Sequence, residues 1–365
     1  MYPLLKLRKY LVVDCAVTAL FICMWAAYSL TQDISVQVSI EPEINEEDAV
    51  VETVSFTPSD TFLSGNILYV GDIMLARRVE TYMRMYGSQF PFASSTAILH
   101  SFDSVVGNFE GTIPLVHTQT PELTFRFSVK EAYMDTLLNA GFDTLSLANN
   151  HAFDFGEEAY QHTLARCRIS GMVCAGHPYE VSTSSVAFQE IGSTTLGTLF
   201  LHATTEVPPI SVLQTYITYA CEESDVCIVY VHWGTEYSLN HSVFQEDLAH
   251  MLIDMGVDAV VGHHPHVVQD IGHYKGKPIF YSLGNFVFDQ FFEYEVQVGL
   301  GVSLEIKEDE LLYTLIPFSS LDSRSQPEVA PVSIRLPLLA RVLLPIKDVF
   351  GVNATTGTIR VSRTE

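Results

Sequence analysis

The sequence predicts an α/β protein in which helices cover a largely parallel sheet system. From residue 65 onward, short apolar runs ending in Gly, Asn, Asp or His alternate with amphipathic helical patterns, the signature of strands joined by crossover helices. With 365 residues, 48% hydrophobic and 17% charged, the chain can bury one large core or two modest ones and does not read as disordered. Polar residues also cluster directly after the apolar runs, and in open α/β sheets those strand ends form the ligand-binding edge.

The elements follow in order. Residues 1–10 are a basic N-terminus containing Lys6, Arg8 and Lys9. Residues 11–30, "LVVDCAVTALFICMWAAYSL", suit one membrane crossing, and the preceding basic residues place the N-terminus in the cytoplasm. A cleavable signal peptide competes with this reading, but no clear small-x-small site precedes the polar stretch. The expectation is therefore an uncleaved, single-pass anchor in the cell membrane, with the remaining chain outside the cytoplasm. Residues 31–62 are expected to form an acidic stalk: positions 31–60 hold eight acids, two prolines and no Lys or Arg, a composition that repels itself and buries little. An irregular first strand pair is the alternative there. A domain over 63–320 and a C-terminal extension over 321–365 complete the organisation. The Leu-rich stretch "LPLLARVLLPIKDVFG" in that extension reads as a packing helix or a docking segment.

Within the domain, "NILYVGDIML" is a buried strand and "RRVETYMRMYG" the helix after it. "SVVGNFEGTI" repeats the strand-then-loop pattern, and "KEAYMDTLLNAGFDTLSLANNHAFDFG" reads as helix, glycine stop, strand and polar loop, with the helix of "EEAYQHTLARCRISG" following. "SDVCIVYVHWGTEY" is another strand. In "SVFQEDLAHMLIDMG", Phe244, Leu248, Met251, Leu252 and Met255 mark one helical face. "VDAVVGHHPHVVQD" and "KPIFYSLGNFVFDQ" are again strand then loop. Cys167 with Cys174 and Cys221 with Cys227 are spaced for disulfides in an oxidising compartment, or are buried free thiols; no Cys-x-x-Cys pattern suggests a zinc knuckle.

Lys plus Arg number 19 against 43 Asp plus Glu, a formal net charge of −24. Bulk electrostatics at that charge exclude nucleic acid as a partner. An anionic substrate therefore needs a local attractor, a metal ion or a small Arg cluster.

Six strand-end residues qualify as metal ligands: Asp72, Glu110, Asn150, His232, His264 and His266. In an extended chain, His264 and His266 share one side of the backbone and His263 faces the other way; a hydrogen-bonded loop is the alternative for this pair. Asp72 taken alone is a turn or capping acid, and "NNH" taken alone is an Asx turn. Together, two carboxylates, one amide and three imidazoles fit two borderline divalent ions sharing a carboxylate. Such ions, about 3.5 to 4 Å apart, activate water and clamp an anionic transition state. His151 is the candidate proton donor and Asp154 its orienting carboxylate.

"GDIMLARRV", "NFEGTI", "GFDTLSLANNHAFDFG", "VHWGTEY", "GVDAVVGHHPHVVQ" and "IFYSLGNFVFDQ", in that order and approximate spacing over residues 65 to 300, resemble the CapA family of poly-γ-glutamate capsule synthesis proteins. That family in turn resembles the calcineurin-like metallophosphoesterases. The resemblance implies a four-layer α/β/β/α sandwich, the same six metal ligands for two ions (Mn, Zn or Fe), and His151 as general acid. Asp72 is followed by Ile73 and Met74 where phosphoesterases carry Asp-x-His, so one ligand of their pattern is missing. Arg77 and Arg78, with Asn149 and Glu236, are the candidate substrate contacts; solvated first-turn arginines are the alternative for the pair. The resemblance further implies a role in biosynthesis, export or anchoring of poly-γ-glutamate, alongside a polymer synthetase and small membrane subunits, through a hydrolase- or transferase-type site. A phosphoesterase for small or lipid-linked substrates and a non-catalytic scaffold subunit are the two alternatives.

Overall fold

A computed structural model describes residues 62–204 and 206–363; the candidate N-terminal segment, the anchor at 11–30 and all but the last residue of the stalk lie outside the described residues. No helix among the described residues is long and apolar enough to cross a membrane.

In chain order the described residues run β1 (Gly65–Ile73), α1 (Arg77–Tyr86), β2 (Ser104–Phe109), α2 (Tyr133–Ala140), β3 (Thr144–Ser146), α3 (Gly156–Ser170), β4 (Val173–Ala175), β5 (Val186–Ile191), β6 (Thr194–Ala203), α4 (Ile210–Glu222), β7 (Val226–Trp233), α5 (Val243–Asp254) and β8 (Ala259–His263). They continue through β9 (Ile271–Tyr274), β10 (Lys277–Phe280), β11 (Asn285–Val287), β12 (Val298–Ile306), β13 (Glu310–Ser319), β14 (Glu328–Val329), α6 (Val332–Leu343) and β15 (Thr358–Ser362), short helical turns aside.

Two sheets result. The larger has the order β14-β13-β12-β1-β2-β3-β4, with β11 also on β1 and β15 on β13; the smaller has the order β5-β6-β7-β8-β10-β9. Strands β1 to β4 are parallel and β12 joins β1 antiparallel. In the smaller sheet β6, β7, β8 and β10 are parallel, edged by antiparallel β5 and β9. The sheets are therefore mixed rather than purely parallel, because hairpins close their edges.

Period-2 alternation sorts each central strand between two cores. In β1, Leu68 and Val70 pack with Val79, Met134 and Tyr160 of the helices α1 to α3, while Ile67 and Tyr69 join a core shared with the other sheet. In β7, Val229 and Val231 pack with Leu213 of α4 and Leu252 of α5, while Ile228 and Tyr230 face the shared core. The layers are thus helix, sheet, sheet, helix. Tyr69 Oη and Thr198 Oγ1, 2.9 Å apart, tie the sheets together.

Two expectations change, and one stretch carries elements that no expectation covered. The hairpin of β5 and β6 and helix α4 lie in a stretch whose pattern the sequence reading left unassigned, yet β6 is a central strand with Leu196, Leu199 and Leu201 fully buried. In α5 Leu248 and Leu252 are buried as expected, with Met251 and, just past the helix, Met255 packed against the same core and Ala249 and Ile253 joining them, while Phe244 is 45% exposed. The reason is local: Ser242 and Gln245 form a reciprocal cap, and the Gln245 amide turns inward to donate to Gln269 Oε1 at 2.9 Å, which swings Phe244 out. Finally, a boundary at residue 320 does not match the packing. Leu338, Leu339, Val342 and Leu343 of α6 join the core between the sheets, and β15 pairs with β13 from Glu310↔Ser362 to Thr314↔Thr358.

Cys167 is bonded to Cys174, and Cys221 to Cys227, with Cα separations of 6.1 and 5.0 Å. Each bridge staples the end of a helix to the strand after it.

Candidate metal centre

Strand register lines the polar residues up. Asp72 lies beside Asn285 on one side and Asn108 on the other, and in the facing sheet His202, His232 and His263 sit side by side. Asp72, Asn108, His202, His232 and His263 lie at or near the carboxyl ends of their strands, and Asn285 opens β11. Gly71 permits the close approach behind Asp72: a Cβ there would fall 1.8 Å from the Gly284 carbonyl oxygen, whereas Asp72 N–H donates to that oxygen at 3.1 Å.

Asn108 wires the centre. Its amide nitrogen lies 2.8 Å from Asp72 Oδ1, 3.2 Å from Glu110 Oε1 and 3.2 Å from His232 Nδ1, and its oxygen accepts from Asn149 at 3.0 Å. Asp72 Oδ2 accepts from the His264 backbone N–H at 3.2 Å and lies 3.2 Å from His266 Nδ1, which also meets Asn285 Oδ1 at 2.9 Å. His232 Nε2 meets Asn150 Oδ1 at 2.9 Å. Asp72, Asn108, Asn149 and His232 are wholly buried, with Glu110 at 1% exposure. Ligand-type atoms gather in three sets, Asp72 with His232 and His263, Asp72 with Glu110 and His266, and Glu236 with His264 and His266, each within 4.8 Å.

Burial sets the electrostatics. It pushes His232 well below its ordinary value, helped by the neighbouring imidazoles, and takes His263 and His264 down to about 3 against a partial counterpull from Asp72. Glu110 is raised well above the carboxylate range by burial and then by the charge of Asp72. Asp72 is itself opposed by burial, but the hydrogen bond and charge of His266, with smaller help from His263 and Asn108, hold it below that range. The neutral imidazoles are in the protonation state that ligation requires.

Next to this group, His151 Nδ1 lies 3.0 Å from Asp154 Oδ2, which also accepts from Phe127 N–H at 2.6 Å. His151 Nε2 faces Glu110 Oε2 at 4.0 Å. The ring packs on Phe127, 4.1 Å between centroids. The dyad thus presents one imidazole nitrogen at the edge of the carboxylate pair.

The family model described as "Bacterial capsule synthesis protein PGA_cap" matches residues 66–290, a span holding every residue of the centre described above. The chain belongs to that family. Among its relatives, the capsule biosynthesis protein CapA of Bacillus anthracis is 35% identical over 243 residues, 60% of this chain and 59% of that protein. The PGA biosynthesis protein CapA of Bacillus subtilis is 33% identical over 256 residues, 64% of this chain and 65% of that protein. The chain thus matches roughly three fifths of the length of these relatives. Among solved structures, a hypothetical protein from Thermus thermophilus superposes on 73% of this chain and 96% of its own at 19% identity and a TM-score of 0.44. A phosphatase from Mycoplasma pneumoniae does so on 71% and 88% at 17% identity and a TM-score of 0.43.

Within this PGA_cap chain, the structure brings Asp72, Glu110, Asn150, His232, His264 and His266 together, with His151 and Asp154 adjoining and Asn149 as a buried support. Glu236 is exposed beside His264 and His266. Two placements depart from the sequence expectation. His263 does not face away: it is fully buried, stacked on Tyr230 at 4.2 Å and 5.0 Å from the His232 ring. Strand alternation ends at His263, because His264 and His266 take φ of 97° and 59°, so the His-x-His pair converges through turns rather than through an extended chain. Arg77 and Arg78 do not open onto the centre as free cations. Arg77 is buried in an ion pair with Asp289 and lies 4.7 Å over the Phe127 ring, and Arg78 pairs with Glu122 at 2.6 Å. Asn108 stood beside Glu110 in the sequence pattern without an assigned role; its four contacts are visible only once β1, β2, β3 and β7 are assembled.

Proposed function

We propose that this chain is a membrane-anchored, extracytoplasmic hydrolase or transferase acting on poly-γ-glutamate during its synthesis, export or anchoring, in company with a polymer synthetase and small membrane subunits. Membership of the capsule synthesis family supports the polymer role. The apolar run at 11–30 and the disulfide pairs support the location.

The observation that carries the catalytic part is the set of orphaned donors. Both ring nitrogens of His263 and Nδ1 of His264 are buried without a hydrogen-bond partner, a cost that an ion ligated by these nitrogens would remove. The donor set of imidazoles, carboxylates and an amide oxygen fits two divalent ions of the Mn, Zn or Fe kind. Asp72, Glu110, Asn150, His232, His264 and His266 would hold them, with His263 as a further donor. When bound, such ions supply Lewis-acid polarisation and the positive charge that a chain of net charge −24 lacks. His151, oriented through Nδ1 by Asp154, donates a proton from Nε2 to the leaving group. Buried Asn149 and Asn108 hold the two carboxylates in place.

The test uses the full chain in detergent, prepared without chelators, with metal content measured and a γ-linked oligoglutamate as substrate. Bound transition metal and cleavage or transfer that is lost in His151→Ala are expected. Protein that carries and takes up no metal would sink the reading, as would His151→Ala that leaves polymer formation intact.

A further inference from the structure

Beside the metal centre lies a cleft of about 490 Å³ whose walls include Leu123, Phe125, Tyr237, Phe292 and Arg324. It is joined to the centre by hydrogen bonds. Gln290 Nε2 donates to Tyr237 Oη at 3.1 Å, and Gln290 Oε1 accepts from Asn285, whose own oxygen meets His266. Tyr237 N–H donates to the Pro265 carbonyl at 2.8 Å, between the two site histidines.

The charges of the cleft do not cancel. Arg77 is taken by Asp289 and Arg78 by Glu122, which leaves Arg324. It is exposed, lies 5.1 Å over the Phe291 ring, and has no ion-pair partner among the described residues. Three arginines against two carboxylates leave the cleft at 3 − 2 = +1 in a chain of net charge −24. Around it Leu123, Phe125 and Phe292 are 92%, 74% and 61% exposed, an apolar rim of the kind that marks a binding surface.

We propose that this cleft is a subsite for the γ-linked glutamyl chain, in which Arg324 holds a free α-carboxylate and the apolar rim packs its methylenes. The proposal rests on the polymer being the substrate. A γ-linked residue carries one carboxylate and two methylenes outside its amide link, which is the combination that an unpaired guanidinium and an apolar wall recognise. The acidic protein repels such a chain elsewhere, so an uncompensated cation in a cleft next to the centre favours where the polymer lies.

The experiment measures binding of a short γ-linked oligoglutamate to the full chain by calorimetry, beside an analogue whose α-carboxylates are carboxamides. Arg324→Ala should raise Kd about tenfold and Arg324→Glu further. Arg324→Lys should recover part of the loss, and the amidated analogue should bind weakly to all four proteins. Metal content and melting temperature should not change, since the side chain is exposed. Unaltered Kd in both Arg324→Ala and Arg324→Glu, with the wild type still binding, overturns the subsite and leaves the polymer reading standing. A wild-type protein that binds neither oligomer overturns both.

Discussion

His263 has no hydrogen-bond partner at either ring nitrogen and no exposure to water, so without an ion it is a net cost to the fold. Replacing a buried, unsatisfied polar group by an apolar one of similar size is neutral or stabilising. His263→Phe should therefore leave the metal-stripped protein at least as stable as wild type while lowering metal affinity 10- to 100-fold, checked by calorimetric unfolding and metal titration. A large loss of stability with undiminished metal uptake would make the residue a packing group only. Asp154 permits a different test. Asp154→Ala removes the acceptor that fixes His151, so kcat on the γ-linked oligomer should fall about 100-fold with metal content unchanged. The motif residues were legible one by one because strand ends and Asx-rich loops announce themselves in sequence. His263, Asn108 and Asn285 were not, since their roles depend on positive φ angles and on neighbours from other strands.

At the scale of elements, the strand-and-helix alternation from residue 65 to 175 and from 224 to 290 was legible because each run is apolar on both faces and ends in a polar loop. The stretch between them, β5 to α4, carries Thr and Gly within β6 and reads weakly. Its burial comes from pairing with β7 rather than from its own periodicity. The C-terminal region shows the same limit. Leu-rich α6 is amphipathic in sequence, but only the assembled sandwich shows that it closes the core between the sheets. Leu339 is 1% exposed there. Leu339→Ala should cost about 2–5 kcal/mol in denaturant unfolding, and a chain ending at residue 320 should fail to fold, lacking both that core contact and β15 along β13. A soluble, cooperatively unfolding product of that truncation would restore the extension as a separate appendage.

For the whole molecule, acid stability follows from how its titrating groups are divided between surface and centre. His232, His263 and His264 are held neutral in the fold, the latter two down to about 3, by burial first and then by their neighbours. Between about pH 3 and 6.5 the unfolded chain binds protons at these positions and the folded chain does not, so stability falls as pH drops. Glu110 works in the opposite sense: burial, and then Asp72, raise it, so below its raised value it is protonated in the fold while still ionised in the unfolded chain. With His202, also lowered by burial, four histidines outweigh Glu110, and Asp143 and Asp289, also raised by burial, start from a lower ordinary value. The net loss on acidification is on the order of 1–3 kcal/mol per pH unit. Self-repulsion among the 43 acids acts against this trend, but it is relieved only as exposed carboxylates approach their ordinary values near 4, below the window from pH 6.5 to 5. The metal-stripped full chain should therefore melt at steadily lower temperature from pH 6.5 to 5, and His263→Phe should reduce that slope by about one proton's worth. A melting temperature that stays level or rises over this interval would mean that the imidazoles are solvated or charged in the fold, and the buried, ligand-ready centre would go with it.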